Sequence, residues 1–123
     1  MRIKITIGKL VVFATLNESK TAKFIWDNLP LEAKGELWGD EIYSYISPKM
    51  GLEKAFAKTV VQVGDVAYWP EGPCLCLFFG MTPASRDGQI KPASAVNVFG
   101  KVEGDPLVLR QAKEGDVLKV EKA

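Results

Sequence analysis

Short segments rich in valine, isoleucine and aromatic residues recur along the whole chain, separated by glycine, proline and aspartate. Branched and aromatic side chains favour β-strands, whereas pairs such as Gly-Asp and Pro-Gly favour turns. We count about eight predicted strands by these signals. So many short strands favour a closed antiparallel barrel, because closure removes exposed strand edges. Side chains fill the interior of a barrel this small, so a ligand is expected on the outer wall or at a mouth, under a loop.

Two segments carry the clearest strand signals. Ile3, Ile5 and Ile7 alternate with polar residues, and a short Gly-Lys turn joins this strand to a second one at 10–16. This arrangement predicts an opening hairpin. The segment Cys74–Phe79 is continuously apolar, which is typical of a strand that is buried on both faces.

One segment has the periodicity of a helix. Asn17 or Ser19 is suited to cap its start, and Pro30 to stop it. Between them, apolar residues recur at helical spacing: Ala22, Ile25, Trp26 and Leu29. This stripe predicts a short amphipathic helix that packs Trp26 into the core and caps the barrel. A second short helix is an open alternative to a loop at 52–58.

Charge and composition remove several classes of function. The 16 basic residues nearly balance the 15 acidic ones, so the net charge of +1 indicates neither nucleic acid nor an anionic membrane as a partner. The chain contains no histidine, which excludes Ser-His-Asp triads, Cys-His pairs and histidine-bound zinc. No phosphate-binding loop, dinucleotide glycine pattern or EF-hand spacing occurs, so we expect no cofactor and no bound metal.

The two cysteines are predicted to be structural. Cys74 and Cys76 lie two residues apart, so on a strand they point to the same face. They lack the further ligands that zinc requires, and their spacing is not the Cys-x-x-Cys of a redox pair. We expect buried free thiols, with a redox or soft-metal role as the alternative.

Length and hydropathy predict a single cytoplasmic domain over residues 1–123. The first seven residues alternate between polar and apolar, unlike the continuous apolar core of a signal peptide. No apolar run approaches the roughly 18 residues of a membrane span. Abundant lysine and glutamate are typical of thermophilic proteins. The oligomeric state is left open by these patterns.

Four phrases resemble the cyclophilin-like family of small bacterial and archaeal proteins. In chain order they are WGDEIY at 38–43, GDVAYWP at 64–70, FFGMTP at 78–83 and PASAVNVFG at 92–100. The resemblance covers nearly the whole chain and implies a reduced form of the cyclophilin barrel, closed by about eight strands and capped by helix. It implies no established activity, because members of this family are largely of unknown function.

The residues of the prolyl isomerase site in true cyclophilins are not matched. Their Phe-His-Arg phrase is absent, so no catalytic residue is carried over. Arg86 is the one arginine in a plausible place, within the long polar loop at 81–93. We interpret it either as the amide-contacting group of a divergent isomerase or as a solvated residue paired with Asp87.

The residues suited to a binding site lie at strand ends and in the polar loop. Aromatic side chains there wall pockets as readily as they fill cores. The candidate ligand-binding residues are Glu41, Tyr43, Trp69, Phe79, Thr82 and Arg86. Asn97 interrupts an apolar strand, and we interpret it as a structural hydrogen-bonding group rather than a ligand contact.

Three functions follow from these features. The first is a binding module for a peptide or small molecule, with the aromatic candidates as its pocket. The second is a divergent peptidyl-prolyl cis-trans isomerase that uses Arg86. The third is an interaction protein that oligomerises through an exposed strand.

Overall fold

The computed structural model describes residues 1–123, and antiparallel β-sheet makes up most of its regular structure. The strands are β1 (Arg2–Ile7), β2 (Leu10–Leu16), β3 (Leu31–Lys34), β4 (Glu36–Leu37), β5 (Glu41–Tyr45), β6 (Ala57–Lys58), β7 (Asp65–Trp69), β8 (Cys74–Phe78), β9 (Val96–Val102) and β10 (Val117–Lys122). The helix α1 spans Lys20–Asp27, and two 3₁₀ turns span Lys54–Phe56 and Pro106–Gln111. No helix is long and apolar enough to cross a membrane.

Nine strands follow one another around a nearly closed barrel, in the order β3-β10-β1-β2-β9-β7-β8-β5-β4. The two-residue strand β6 pairs with β9 beside this path. Every pairing is antiparallel. The predicted fold class, an antiparallel barrel of about eight strands with one or two short helices, is therefore confirmed.

The barrel closes where β3 passes into β4. These strands are the two ends of the order, yet only Gly35 separates them along the chain. Leu31–Lys34 pairs with β10, and Glu36–Leu37 pairs with β5. At the crossing the Gly35 N–H donates to the carbonyl of Asp116 at 2.7 Å, and the Gly115 N–H donates to the carbonyl of Gly35 at 2.9 Å. One continuous segment thus joins both edges of the sheet.

The main core fills the barrel and the space beneath helix α1. Its members alternate along the strands, as the isoleucines of β1 were predicted to do. The predicted hairpin of β1 and β2 is present, with Ile5 opposite Val12. Ser19 caps the helix by accepting a hydrogen bond from the Ala22 N–H at 3.0 Å. Ala22 and Ile25 are fully buried, and Trp26 is half-buried against the core beneath the Lys122 ammonium.

Asn97 ties the segment 47–58 to the barrel. Its side chain is fully buried, accepts from the Glu53 N–H at 2.7 Å and donates to the carbonyl of Gly51 at 3.1 Å. The predicted structural role of Asn97 is therefore confirmed. The carboxylate of Glu53 in turn accepts from the backbone N–H groups of Lys20 and Thr21, each at 2.9 Å. The segment predicted as a helix or a loop at 52–58 is a 3₁₀ turn leading into β6, locked between β9 and α1.

We expect Gly35→Ala to destabilise the protein by about 1–3 kcal/mol, because a methyl group there would lie 3.0 Å from the backbone carbonyl of Asp116. The measurement is urea-induced unfolding of the variant and the wild type. Gly51→Ala is the matched control, since nothing lies within 4 Å of its added methyl group. Equal unfolding free energies for the two variants would show that the close backbone approach at Gly35 does not affect the stability of the barrel.

Candidate functional site

The outer face of the β5, β8, β7 and β9 strands carries a second apolar cluster. Strand alternation turns Cys74, Cys76 and Phe78 outward, while Leu75 and Leu77 point into the barrel. The polar loop at 81–95 covers part of this outer face. Ile90 from the loop packs on the cluster, and its carbonyl accepts from the Val61 N–H at 2.9 Å. The loop therefore makes a roof over one wall of the barrel.

A cavity of about 190 Å³ remains where this roof meets the strands. It lies on the outer wall and under a loop, in the position expected for a small filled barrel. Its walls are Trp38, Glu41, Tyr43, Tyr45, Trp69, Pro92, Ala93 and Val96. Four of these residues are aromatic, and Glu41 is the one that carries a charge.

The tight β4–β5 hairpin places Trp38 and Glu41 together. The Trp38 N–H donates to the carbonyl of Glu41 at 2.9 Å, and the Glu41 N–H donates to the carbonyl of Trp38 at 3.2 Å. Gly39 lies in the turn with a φ of +61°, a left-handed conformation that glycine adopts without strain. An added Cβ would also meet the carbonyl oxygen of Met81 at 2.8 Å. The turn is thus packed directly against the start of the roof loop.

Glu41 is the most unusual group of the site. Its side chain belongs to a residue that is 5% exposed, and its Oε1 atom has no hydrogen-bond partner. Burial raises the pKa of this carboxyl from its ordinary 4.5 to about 7, opposed by the nearby thiol of Cys76. A buried carboxylate without partners is energetically costly in the folded chain. The wall of the cavity therefore contains a carboxyl group with one buried, unsatisfied oxygen.

Trp69 is held in the cavity wall by a polar relay. Its indole Nε1–H donates to the Ser94 hydroxyl at 2.6 Å, and that hydroxyl donates to the carboxylate of Glu71 at 2.8 Å. Ser94 follows the lining residue Ala93 in the loop, whereas Glu71 lies in the turn between β7 and β8. The relay thus fixes both the ring of Trp69 and the edge of the roof.

Three of the six predicted site residues line the cavity: Glu41, Tyr43 and Trp69. The other three do not reach it. Phe79 is 4% exposed and lies in the barrel core, because it has the opposite orientation to its outward neighbour Phe78. Thr82 is buried within the loop, where its hydroxyl donates to the carbonyl of Lys91 and its N–H donates to the Ser85 hydroxyl.

Arg86 is exposed at the far side of the loop. Its guanidinium donates to the carbonyls of Pro83 at 3.2 Å and Ser85 at 2.8 Å. It forms no ion pair with Asp87, so the predicted pairing is wrong. Asp87, the next residue, has a φ of +55°. The guanidinium of Arg86 contacts the backbone of its own loop.

Five lining residues were not among the predicted ones: Trp38, Tyr45, Pro92, Ala93 and Val96. A sequence signal exists for two of them, because Tyr45 shares the alternating face of Tyr43, and Trp38 precedes the hairpin turn. No local pattern marks the other three. Pro92 and Ala93 reach the cavity because the loop folds back over the outer face, and Val96 reaches it from the first position of β9.

The two cysteines are free, buried and on one face of β8, as predicted. Burial, followed by the carboxylates of Glu41 and Glu36, raises the pKa of Cys74 to about 12. Burial also raises the pKa of Cys76 well above its ordinary value. The thiolate form that attacks electrophiles or binds metals is thereby disfavoured. No group of three or more Cys, Asp and Glu side chains is arranged to hold a metal ion.

Comparisons with known proteins agree with this architecture. A family model described as cyclophilin-like matches residues 1–121. The solution structure of a hypothetical protein from Archaeoglobus fulgidus is similar, with 38% sequence identity and a TM-score of 0.80. That similarity covers 100% of this chain and 95% of the other. A search of curated proteins found no match.

We expect Glu41→Gln to stabilise the protein more at high pH than at low pH. The folded chain keeps the Glu41 proton up to about pH 7, whereas the unfolded chain releases it near 4.5, so stability falls as the pH rises between these values. The variant lacks this loss. Its advantage in unfolding free energy should grow by about 2–3 kcal/mol between about pH 5 and about pH 8.

Urea unfolding of both proteins at each pH measures this difference. Groups other than Glu41 titrate alike in the two proteins and cancel. A variant whose advantage is the same at both pH values would contradict the raised pKa.

We expect Ser94→Ala to destabilise the protein by about 1 kcal/mol, because the indole of Trp69 loses its acceptor. The Trp69 indole N–H should also exchange faster with water, as measured by NMR. Ser47→Ala, at an exposed serine with no side-chain hydrogen bond, is the control. Unchanged indole exchange in the Ser94→Ala variant would show that the hydrogen bond to Ser94 does not protect the indole N–H of Trp69.

Proposed function

The chain belongs to the cyclophilin-like family, and we propose that it is a binding module whose site is the aromatic cavity on the outer wall of the barrel. The ligand is a small molecule, or the side chain of a peptide, that is compact and largely apolar. It also carries a hydrogen-bond donor. Three of the residues first selected from the sequence, Glu41, Tyr43 and Trp69, meet in this cavity.

The observation that carries the proposal is the unpartnered Oε1 atom of Glu41. Leaving a buried acceptor without a partner costs about 1–3 kcal/mol, and more when the group is charged. A well-packed apolar residue at position 41 would avoid that cost and close the cavity. An N–H or O–H of a bound ligand would supply the hydrogen-bond donor that the carboxyl group of Glu41 lacks, so the cost in the free protein becomes affinity in the complex.

The rest of the cavity is suited to hold the body of such a ligand. Ligand sites are typically concave and apolar, with a few placed polar groups that fix orientation. Trp69 is rigid because Ser94 accepts its indole hydrogen bond, and Tyr43 packs edge-on against Tyr45, with ring centroids 5.9 Å apart. Walls that are ordered before binding lose little conformational entropy on binding.

The two alternative functions have weaker support. The isomerase hypothesis needs an arginine beside a proline pocket, and the Arg86 guanidinium instead donates to carbonyls of its own loop. The hypothesis of an oligomerising strand needs a free sheet edge. The two ends of the strand order, β3 and β4, are joined through Gly35.

Phenol tests this proposal, since it combines a flat ring with an O–H donor. In NMR titrations of the whole chain we expect saturable shifts of the indole signals of Trp38 and Trp69. Trp26 lies on helix α1 and serves as the internal reference. Ala93→Phe should fill the cavity and weaken phenol binding by about tenfold or more, a loss of roughly 1.4 kcal/mol.

Ala55→Phe is the matched control, because Ala55 is an exposed alanine in a 3₁₀ turn away from the cavity. It should bind phenol like the wild type. The proposal fails if phenol shifts Trp26 as much as the cavity tryptophans, or if Ala93→Phe leaves binding unchanged.

A further inference from the structure

The walls and charges of the cavity define a narrower class of ligand. We infer that the site receives an alkylammonium group, with its carbon chain against the aromatic rings and its N–H groups toward the carboxyl group of Glu41. This inference rests on the proposed function and specifies its ligand.

Four aromatic side chains surround the space in front of Glu41: Trp38, Tyr43, Tyr45 and Trp69. The faces of such rings are electron-rich and attract cations, most strongly where water is excluded. Two tryptophans and two tyrosines around one small cavity are more than an apolar ligand needs. The small cavity and the faces of these rings together suit a cation that carries a short alkyl chain.

The one charged side chain of the cavity lining is acidic. Glu41 is the sole charged residue of the lining, and no lysine or arginine lines the cavity. Just outside, Glu36 lies opposite Tyr43 across the β4–β5 pair, and the Glu114 carboxylate accepts from the Leu37 N–H at 2.6 Å. The carboxylate of Glu71 stands behind Ser94.

The acidic character belongs to the lining itself. Outside it, lysines are present as well, since Lys58 lies opposite the lining residue Val96 across the β6–β9 pair and Lys91 precedes Pro92. A cleft lined by one sign of charge favours a ligand of the opposite sign.

Other ligand chemistries leave a conflict at this site. An anion would face the carboxyl group of Glu41, the one charged group of the lining. A purely apolar molecule would leave Oε1 buried without a partner, at the cost already present in the free protein. A hard metal ion requires several oxygen ligands, and Glu41 supplies the only carboxylate in the lining. An ammonium group with a short carbon chain satisfies both the carboxylate and the rings.

Isobutylammonium and isobutanol test the inference, because they share a carbon skeleton and differ in charge. Both are titrated into the whole chain at about pH 8, where Glu41 is ionised, and at constant ionic strength, with the indole signals of Trp38 and Trp69 as the readout and Trp26 as the reference. We expect isobutylammonium to bind about tenfold tighter or more, since a charged hydrogen bond and ring contacts act together. This comparison uses the wild-type protein and needs no variant to fold.

Glu41→Gln adds a second measurement. It should lose most of the preference for isobutylammonium and leave the affinity for isobutanol within about threefold, a difference below roughly 0.7 kcal/mol. Glu18→Gln is the matched control, since it removes the same charge from an exposed residue outside the cavity and should keep the preference.

The outcomes separate the two claims. Equal affinity for the two probes, or tighter binding of isobutanol, overturns the ammonium inference while phenol binding still supports the cavity as a site. A preference that persists unchanged in Glu41→Gln also overturns the assignment. Failure of phenol and of both isobutyl probes to shift Trp38 and Trp69 overturns the ammonium inference and the proposed function together.

Discussion

The crossing at Gly35 is the constraint on which the rest of the barrel depends. A sheet of nine short strands has two edges, and here one seven-residue segment belongs to both of them. The backbone of Gly35 exchanges hydrogen bonds with the turn before β10, and the carbonyl of Asp116 lies too close for an ordinary side chain. Because β4 leads directly into the hairpin that carries Trp38 and Glu41, closure of the barrel also positions the site.

Strand alternation then distributes the side chains of β5 and β8 between the two faces of the barrel wall. On β5 the inward residues Ile42 and Ser44 face the main core, while Glu41, Tyr43 and Tyr45 face outward. On β8 the same rule turns both cysteines outward beneath the roof loop. The roof loop covers the part of this face that carries the cysteines. The cavity lies beside that part, where Pro92 and Ala93 of the loop meet the aromatic residues of β5.

The site combines an apolar surrounding with one carboxylate that nothing in the chain satisfies. Asn97 shows how a buried polar side chain is usually satisfied in this protein, through its bonds to the backbone of Gly51 and Glu53. Two buried atoms lack a partner, the hydroxyl oxygen of Ser44 and Oε1 of Glu41, and of these two residues only Glu41 lines the cavity. The thiol of Cys76 offsets only part of the effect of burial, since the pKa of Glu41 is still raised to about 7. A ligand that brings a hydrogen-bond donor to the carboxyl group of Glu41 would stabilise such a site.

The sequence by itself determined which segments are strands and which one is a helix, because periodicity and turn residues act over short distances. The opening hairpin, the Ser19 cap, the doubly buried β8 strand and the structural role of Asn97 all follow from such local signals. The resemblance in four phrases also indicated the family. The tertiary structure decided which residues line the cavity. Phe79 differs from the outward Phe78 by one residue of strand register, and Pro92 and Ala93 reach the site only through the fold of the loop. Contacts between residues tens of positions apart depend on barrel closure, and no local pattern encodes where the two edges of a sheet will meet.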